Sequence, residues 1–130
     1  MQKFTTFLMF EGKAEEAMNF YTTLFKNSSI LNITRYDKNG PGAEGTVIHA
    51  TFSLNGQEFM AIDSAGKHAF TFTPSISIFV NCEDDNEIEH AYATLTDGGS
   101  AMMTLGNYGF SRKFGWVSDK FGVSWQLNLA

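Results

Sequence analysis

The sequence predicts an α+β domain made of two tandem βαβββ modules, and three observations predict it. The first is Gly12 to Phe25 (GKAEEAMNFYTTLF), where Ala14, Ala17, Met18, Tyr21, Leu24 and Phe25 fall on one helical stripe. The second is the order around that helix, a strand-like run before it and three after it, which recurs in the second half of the chain. The third is Asn55-Gly56 between two alternating runs, the pair that favours a type I′ hairpin turn.

Taken in order, Lys3 to Phe10 reads as the first strand, with Glu11-Gly12 as the break before the helix. Glu15 and Glu16 place negative charge at the positive end of the helix dipole, and Asn27-Ser28-Ser29 stops the helix. Ile30 to Tyr36 is rich in β-branched residues and reads as a second strand; Asp37 to Gly45 is a loop by its Gly, Pro and Asn content. Thr46 to Leu54 and Gln57 to Asp63 form the hairpin. A two-residue turn pairs Leu54 with Gln57, Phe52 with Phe59, Ala50 with Ala61 and Ile48 with Asp63 on one face. Ile48, Ala50, Phe52 and Phe59 make that face the one expected to carry the helix. His49, Thr51, Met60 and Ile62 share the other, mixed face, which suits a lined cavity. Asp63 reads as a turn residue.

Ser64 to Pro74 is a linker, so the single domain 1–130 divides into modules of about 1–64 and 74–130. Ser75 to Cys82 is a fifth strand. Asp84 to Leu95 is the second helix, striped by Ile88, Ala91, Tyr92 and Leu95 and closed by Asp97-Gly98-Gly99. Ala101 to Leu105, Phe114 to Ser118 and Val123 to Leu129 are the last strands, with Asp119 to Gly122 as the final turn.

Composition excludes several functions. A net charge of −5 with nine scattered basic residues argues against nucleic acid and anionic membranes, which need clustered Lys and Arg. No apolar run approaches the ~18 residues of a membrane span, and the first residues lack a signal-peptide layout. A lone Cys82 fits a reducing cytoplasm, and Glu83, Asp84 and Asp85 beside it should raise its pKa and leave it inert.

The chain resembles the vicinal oxygen chelate superfamily of glyoxalase I, bleomycin-resistance proteins and extradiol dioxygenases. The resemblance rests on Gly12, Ala14-Glu15-Glu16-Ala17, Phe20-Tyr21 and Phe25, on His49-Ala50 before Asn55-Gly56, and on Asp97-Gly98-Gly99. It rests also on Phe114-Gly115 with Asp119, then Phe121-Gly122-Val123-Ser124-Trp125-Gln126-Leu127. Within the superfamily it is most similar to the PhnB-like group, labelled 3-demethylubiquinone-9 3-methyltransferase-like, although Lys120 stands where that group has Pro. The resemblance implies a cup-shaped mixed sheet of the glyoxalase type, a small-molecule ligand and a homodimer. It also implies metal positions on the first, fourth, fifth and eighth strands. These fall on Thr6, on Met60 or Ile62, near Ser75 and on Gln126, none a carboxylate or imidazole, so no cofactor is expected and a divalent metal has little to hold it.

Candidate site residues follow. His49 is the candidate catalytic group, as general base, hydrogen-bond donor or metal ligand; the alternative is a half-buried imidazole bonded to Thr51 or Thr6. Thr6, Thr51, Ser75 and Gln126 are candidate ligand contacts on the mixed faces. Tyr108 and Arg112, with Ser111 and Lys113, suit a lid that attracts an anion or else a plain solvated loop. Trp116 either lines the cup with Phe114 or packs in the core, which is the expectation. Two functions remain: a metal-free binding protein for an aromatic or anionic molecule, and an isomerase, lyase or dioxygenase relying on His49. Methyl transfer is not expected, because Gly106 and Gly109 lie between antiparallel strands rather than after a parallel one.

Overall fold

A computed structural model describes residues 2–130. They form two compact units, residues 2–69 and 70–130, each a four-stranded mixed sheet with one helix. The first unit runs β1 (Thr6–Phe10), α1 (Ala14–Leu24), β2 (Ser29–Arg35), β3 (Val47–Leu54) and β4 (Gln57–Asp63). The second runs β5 (Ile78–Asn81), α2 (Asp85–Thr96), β6 (Ser100–Gly106), β7 (Lys113–Ser118) and β8 (Ser124–Leu129). Sheet orders are β1-β4-β3-β2 and β5-β8-β7-β6, with only β1–β4 and β5–β8 parallel. The chain is therefore an α+β fold of two tandem βαβββ modules, as its sequence pattern predicts.

The hairpin forms in the expected register. Leu54 pairs with Gln57, Phe52 with Phe59 and Ala50 with Ala61, and Asn55 and Gly56 both take positive φ. Ala50, Phe52, Phe59 and Ala61 are buried under α1, where the Tyr21 ring stacks on Phe52 at 6.3 Å. Ala14, Ala17, Met18 and Tyr21, the inner stripe of α1, are wholly buried.

Several boundaries and faces depart from expectation. The first strand begins at Thr6, not Lys3, because the Gln2 amide bonds the Phe4 carbonyl and both backbone groups of Glu58, folding the chain across the sheet end. Ile48 does not join the helix-side face. Thr34 pairs with His49 and Arg35 with Val47, so Ile48 is the extra residue of a β-bulge and is turned outward, 41% exposed. The same bulge drops Val47 into the core. The fifth strand begins at Ile78, not Ser75; Ser75 sits in a turn, its hydroxyl 2.8 Å from that of Thr73.

Asp63 is more than a turn residue. It is 2% exposed, and its carboxylate accepts from the Ala14 and Val47 amides, each at 2.9 Å. Lys13 at the start of α1 supplies no side-chain cap, so Asp63 caps the helix from β4. In the second unit Asp84 caps α2 locally, accepting from Glu87 N, while the Glu87 carboxylate accepts from Glu83 N. Asp119 is buried beneath the β7–β8 turn and accepts from Phe121 N, Val123 N and the Trp125 indole at 2.8–3.0 Å. At Gly99 a Cβ would lie 2.1 Å from the Ser118 carbonyl oxygen, so the strand after α2 approaches the turn only as glycine.

Candidate functional site

Each sheet has one face under its helix and one face turned away, and alternation decides which side chains reach the second. In the first unit Thr51 pairs with Met60 and Met60 with Phe7, so these three form one row across β3, β4 and β1. His49 follows Thr51 on that face. It is half-buried, and its Nε2 lies 3.3 Å from the Met60 sulfur. Neither Thr51 nor Thr6 is the partner expected for the imidazole. Thr6 pairs with Phe59 and shares the parity of Leu8 and Phe10, which places it at the exposed end of the helix-side face; Phe7 takes the position on the open face.

The second unit carries the more polar face. Trp116 pairs with Gln126 and Gln126 with Phe79, the same three places that Thr51, Met60 and Phe7 hold in the first unit. Trp116 is half-buried on the side away from α2, not in the core where it was expected, because Trp125 and Val117 take the helix side and are fully buried. Its indole donates to Ser124 Oγ at 2.9 Å, Ser124 and Ser77 hydroxyls are 2.7 Å apart, and Gln126 Nε2 donates to Ser77 Oγ at 3.3 Å. Trp116, Ser124, Ser77 and Gln126 thus form one connected hydrogen-bonded chain. The serine bonded to Gln126 is Ser77; Ser75, the candidate contact, lies two residues earlier in a turn. Counting back in twos from Phe79, which registers with Gln126, would have found Ser77.

Beside this chain lies an aromatic cluster. Phe114 packs edge-on against Phe110 at 5.0 Å and Tyr108 at 6.3 Å, and Phe79 stands 6.4 Å away. Tyr108, Phe110 and Phe79 remain 44%, 63% and 53% exposed, whereas Phe114 beneath them is buried. The Tyr108 hydroxyl donates to the Thr104 carbonyl, which pins the loop to β6. The basic members of this loop turn elsewhere. Lys113 Nζ lies 2.7 Å from Asp85 and 3.3 Å from Glu89, both on α2, and Arg112 Nε donates to the Ala130 carbonyl. Hydrogen bonding to Lys113, then its charge, holds the Asp85 carboxyl below its ordinary pKa, and Arg112 adds to that pull. Of the two basic residues of the candidate lid, Lys113 is ion-paired to α2 and Arg112 is bonded to the Ala130 carbonyl.

The superfamily metal positions hold no fitting donor set: Thr6 points to the helix side, Met60 offers a thioether, Ser75 lies in a turn, and the Gln126 amide is bonded to Ser77. Among the described residues no group of three or more His, Cys, Asp or Glu side chains is placed to hold a metal ion. Cys82 is buried, its thiol pushed up to about 12, first by burial and then by the Glu87 and Asp84 charges. Glu87, rather than neighbouring Glu83 or Asp85, is the larger charge, because α2 folds it back over the strand end. No described helix is long and apolar enough to cross a membrane.

Comparison with known proteins agrees with this fold. The PhnB protein from Bacillus cereus is 66% identical over 99% of this chain and 100% of its own, with a TM-score of 0.97. A protein from Pseudomonas aeruginosa is 25% identical over 99% and 98% of the two chains, with a TM-score of 0.86. A glyoxylase/bleomycin resistance protein/dioxygenase domain from Frankia shares the fold at 12% identity, covering 100% and 98%, with a TM-score of 0.70. No curated protein matches. The profile of the 3-demethylubiquinone-9 3-methyltransferase family matches residues 2–128. The chain belongs to that family, and its fold is that of the glyoxalase and bleomycin-resistance proteins.

Proposed function

We propose that this protein binds a small aromatic molecule on the open face of its second sheet, as a binding protein of the bleomycin-resistance type without the usual metal set. The observation that carries this reading is the hydrogen-bonded chain Trp116–Ser124–Ser77–Gln126 set beside the exposed rings of Phe79, Tyr108 and Phe110. Apolar walls with a few converging polar groups are the usual make-up of small-molecule sites. In this reading Trp116 and Gln126 are the chief contacts, Tyr108 flanks the ligand from its pinned loop, and His49 and Thr51 line the first unit's open face.

Homodimer formation belongs to the same proposal. Phe4, Phe70 and Ile76 are 82%, 62% and 74% exposed, apolar surface of the kind that association covers. A reducing cytoplasm suits the free, inert Cys82. Catalysis by His49 has less support: its polar contact is a thioether, and among the described residues no carboxylate is bonded to the imidazole to orient it as a general base. The methyl transfer in the family's name is not part of the proposal, since Gly106 and Gly109 flank an antiparallel β6–β7 connection that offers no methyl-donor cradle.

The test is a titration with small aromatic probes, phenols and aromatic acids and amides, followed by thermal shift and Trp fluorescence. Binding to the native state alone raises the melting temperature. Trp116 reports the ligand, while buried Trp125 stays constant as an internal reference. Trp116→Ala should abolish both signals. Absence of binding by every probe at millimolar concentration defeats the proposal, and light scattering that gives one chain removes the dimer.

A further inference from the structure

The ligand's polarity can be read from how the hydrogen bonds of the second sheet run; this rests on the binding role proposed above. Ser124 is 2% exposed and already accepts the Trp116 N–H, so a hydroxyl proton left unpaired there would be a buried orphan donor. Of the two hydroxyls, 2.7 Å apart, the buried Ser124 is assigned as the donor, because its proton is the one that would be stranded away from water. Ser77 accepts a second bond from Gln126 Nε2 at 3.3 Å. Its lone pairs are filled and its own proton is left over.

Ser77 and Gln126 are both half-buried, so these spare groups meet the open face instead of protein. They are the Ser77 O–H donor, the second N–H of Gln126 and the Gln126 Oε1 acceptor. Among the described residues, no cationic side chain is hydrogen-bonded to them. Lys113 is bound to Asp85 and Glu89, the Arg112 charge acts on Asp85, and the whole chain carries a net charge of −5. A carboxylate brought here would lose its water, meet the carbonyl end of the Gln126 amide and find no counter-charge. A carboxamide offers an acceptor to the two donors and its own N–H to Oε1, while its ring lies against Phe79 and Trp116.

We infer that the open face of the second sheet selects an uncharged aromatic molecule bearing a carboxamide-type edge over the isosteric aromatic carboxylate. The experiment is calorimetric titration of the full chain with benzamide and benzoate at neutral pH, with phenol as an uncharged aromatic lacking that edge. Benzamide is expected to bind at least about tenfold more tightly than benzoate. Gln126→Lys, which sets an ammonium at the same place, should reverse that order. Ser77→Ala, which deletes the spare O–H and the oxygen that holds Ser124 and Gln126 in place, should weaken benzamide several-fold. Equal or tighter binding of benzoate overturns the inference and leaves the binding role standing. Binding of phenol without benzamide does the same. If none of the three probes binds, and no other aromatic does, both the inference and the binding role fall.

Discussion

Two modules of one topology solve the same problems with different chemistry. α1 has no local cap and is held by Asp63 from the far end of β4; α2 carries its own cap in Asp84 and Glu87. On the open faces, the row Phe7–Met60–Thr51 is apolar and soft, whereas its counterpart Phe79–Gln126–Trp116 is polar and hydrogen-bonded. The first module ties its helix, hairpin and core together through one buried carboxylate. The second keeps its helix self-sufficient and leaves polar side chains available on its sheet. In the proposed reading, recognition falls to the second module, while the first invests its buried carboxylate in anchoring the helix.

The largest test of that contrast is at the caps. Asp63→Ala strands two buried backbone N–H groups, on Ala14 and Val47, and should cost about 3 kcal/mol of unfolding free energy. Asp84→Ala removes an exposed cap that water can replace and should cost about 1 kcal/mol. Urea unfolding followed by circular dichroism measures both. Equal costs would mean that the two helices are anchored alike.

The difference between the caps also marks what the sequence could and could not disclose. The capping box at Asp84 and Glu87 is local and visible as spacing. The cap at Asp63 spans 49 residues, and only the fold shows that the end of β4 meets the start of α1. The hairpin pairs from Leu54 to Ala50 were legible because Asn55-Gly56 fixes the register; Ile48 was not, because a bulge against β2 depends on a partner strand that alternation does not specify. Gln126 was found from its parity, but its partner Ser77 was missed because the β5 ladder begins three residues after the assumed start at Ser75. The ion pairs of Lys113 are not legible in the sequence because the carboxylates that bind it lie on α2, 28 and 24 residues back in the chain.

A smaller effect is expected from exchanging the central residues of the two rows. Gln126→Met gives the second sheet the first sheet's chemistry at nearly the same volume, so stability should change by less than about 1.5 kcal/mol. Binding of benzamide should nonetheless fall at least about tenfold, since the donor and acceptor that fix its orientation are gone. Met60→Gln, the reverse change in the first sheet, should leave benzamide affinity where it was. Loss of affinity in both variants would move the site off the second sheet alone.

The smallest effect concerns the ion pairs that link each helix's first turn to a strand end. Arg35 at the end of β2 meets Glu15 on α1 through two bonds, at 3.0 and 2.6 Å; Lys113 at the start of β7 meets Asp85 on α2 at 2.7 Å. The four side chains are between 32% and 55% exposed, so each pair adds little and weakens with salt. Their pH profiles nonetheless differ in shape. Glu15 and Asp85 have lowered pKa values, chiefly through the bonds to Arg35 and Lys113 respectively. Their stabilisation is thus complete above the ordinary carboxylate range, near pH 4, and is lost as pH falls through the depressed values. Lys113 has a raised pKa, chiefly from Asp85, so its contribution is complete below about pH 10.4 and is lost as pH rises through the raised value. Arg35 stays charged throughout the accessible range. The stability gap between wild type and Lys113→Met should therefore close at both ends of the pH scale, while the gap for Arg35→Met closes only at the acid end. Urea midpoints at pH 3, 7 and about 11, repeated at high salt, separate the two profiles, because only one of the two modules fastens its helix with a cation that can be titrated away.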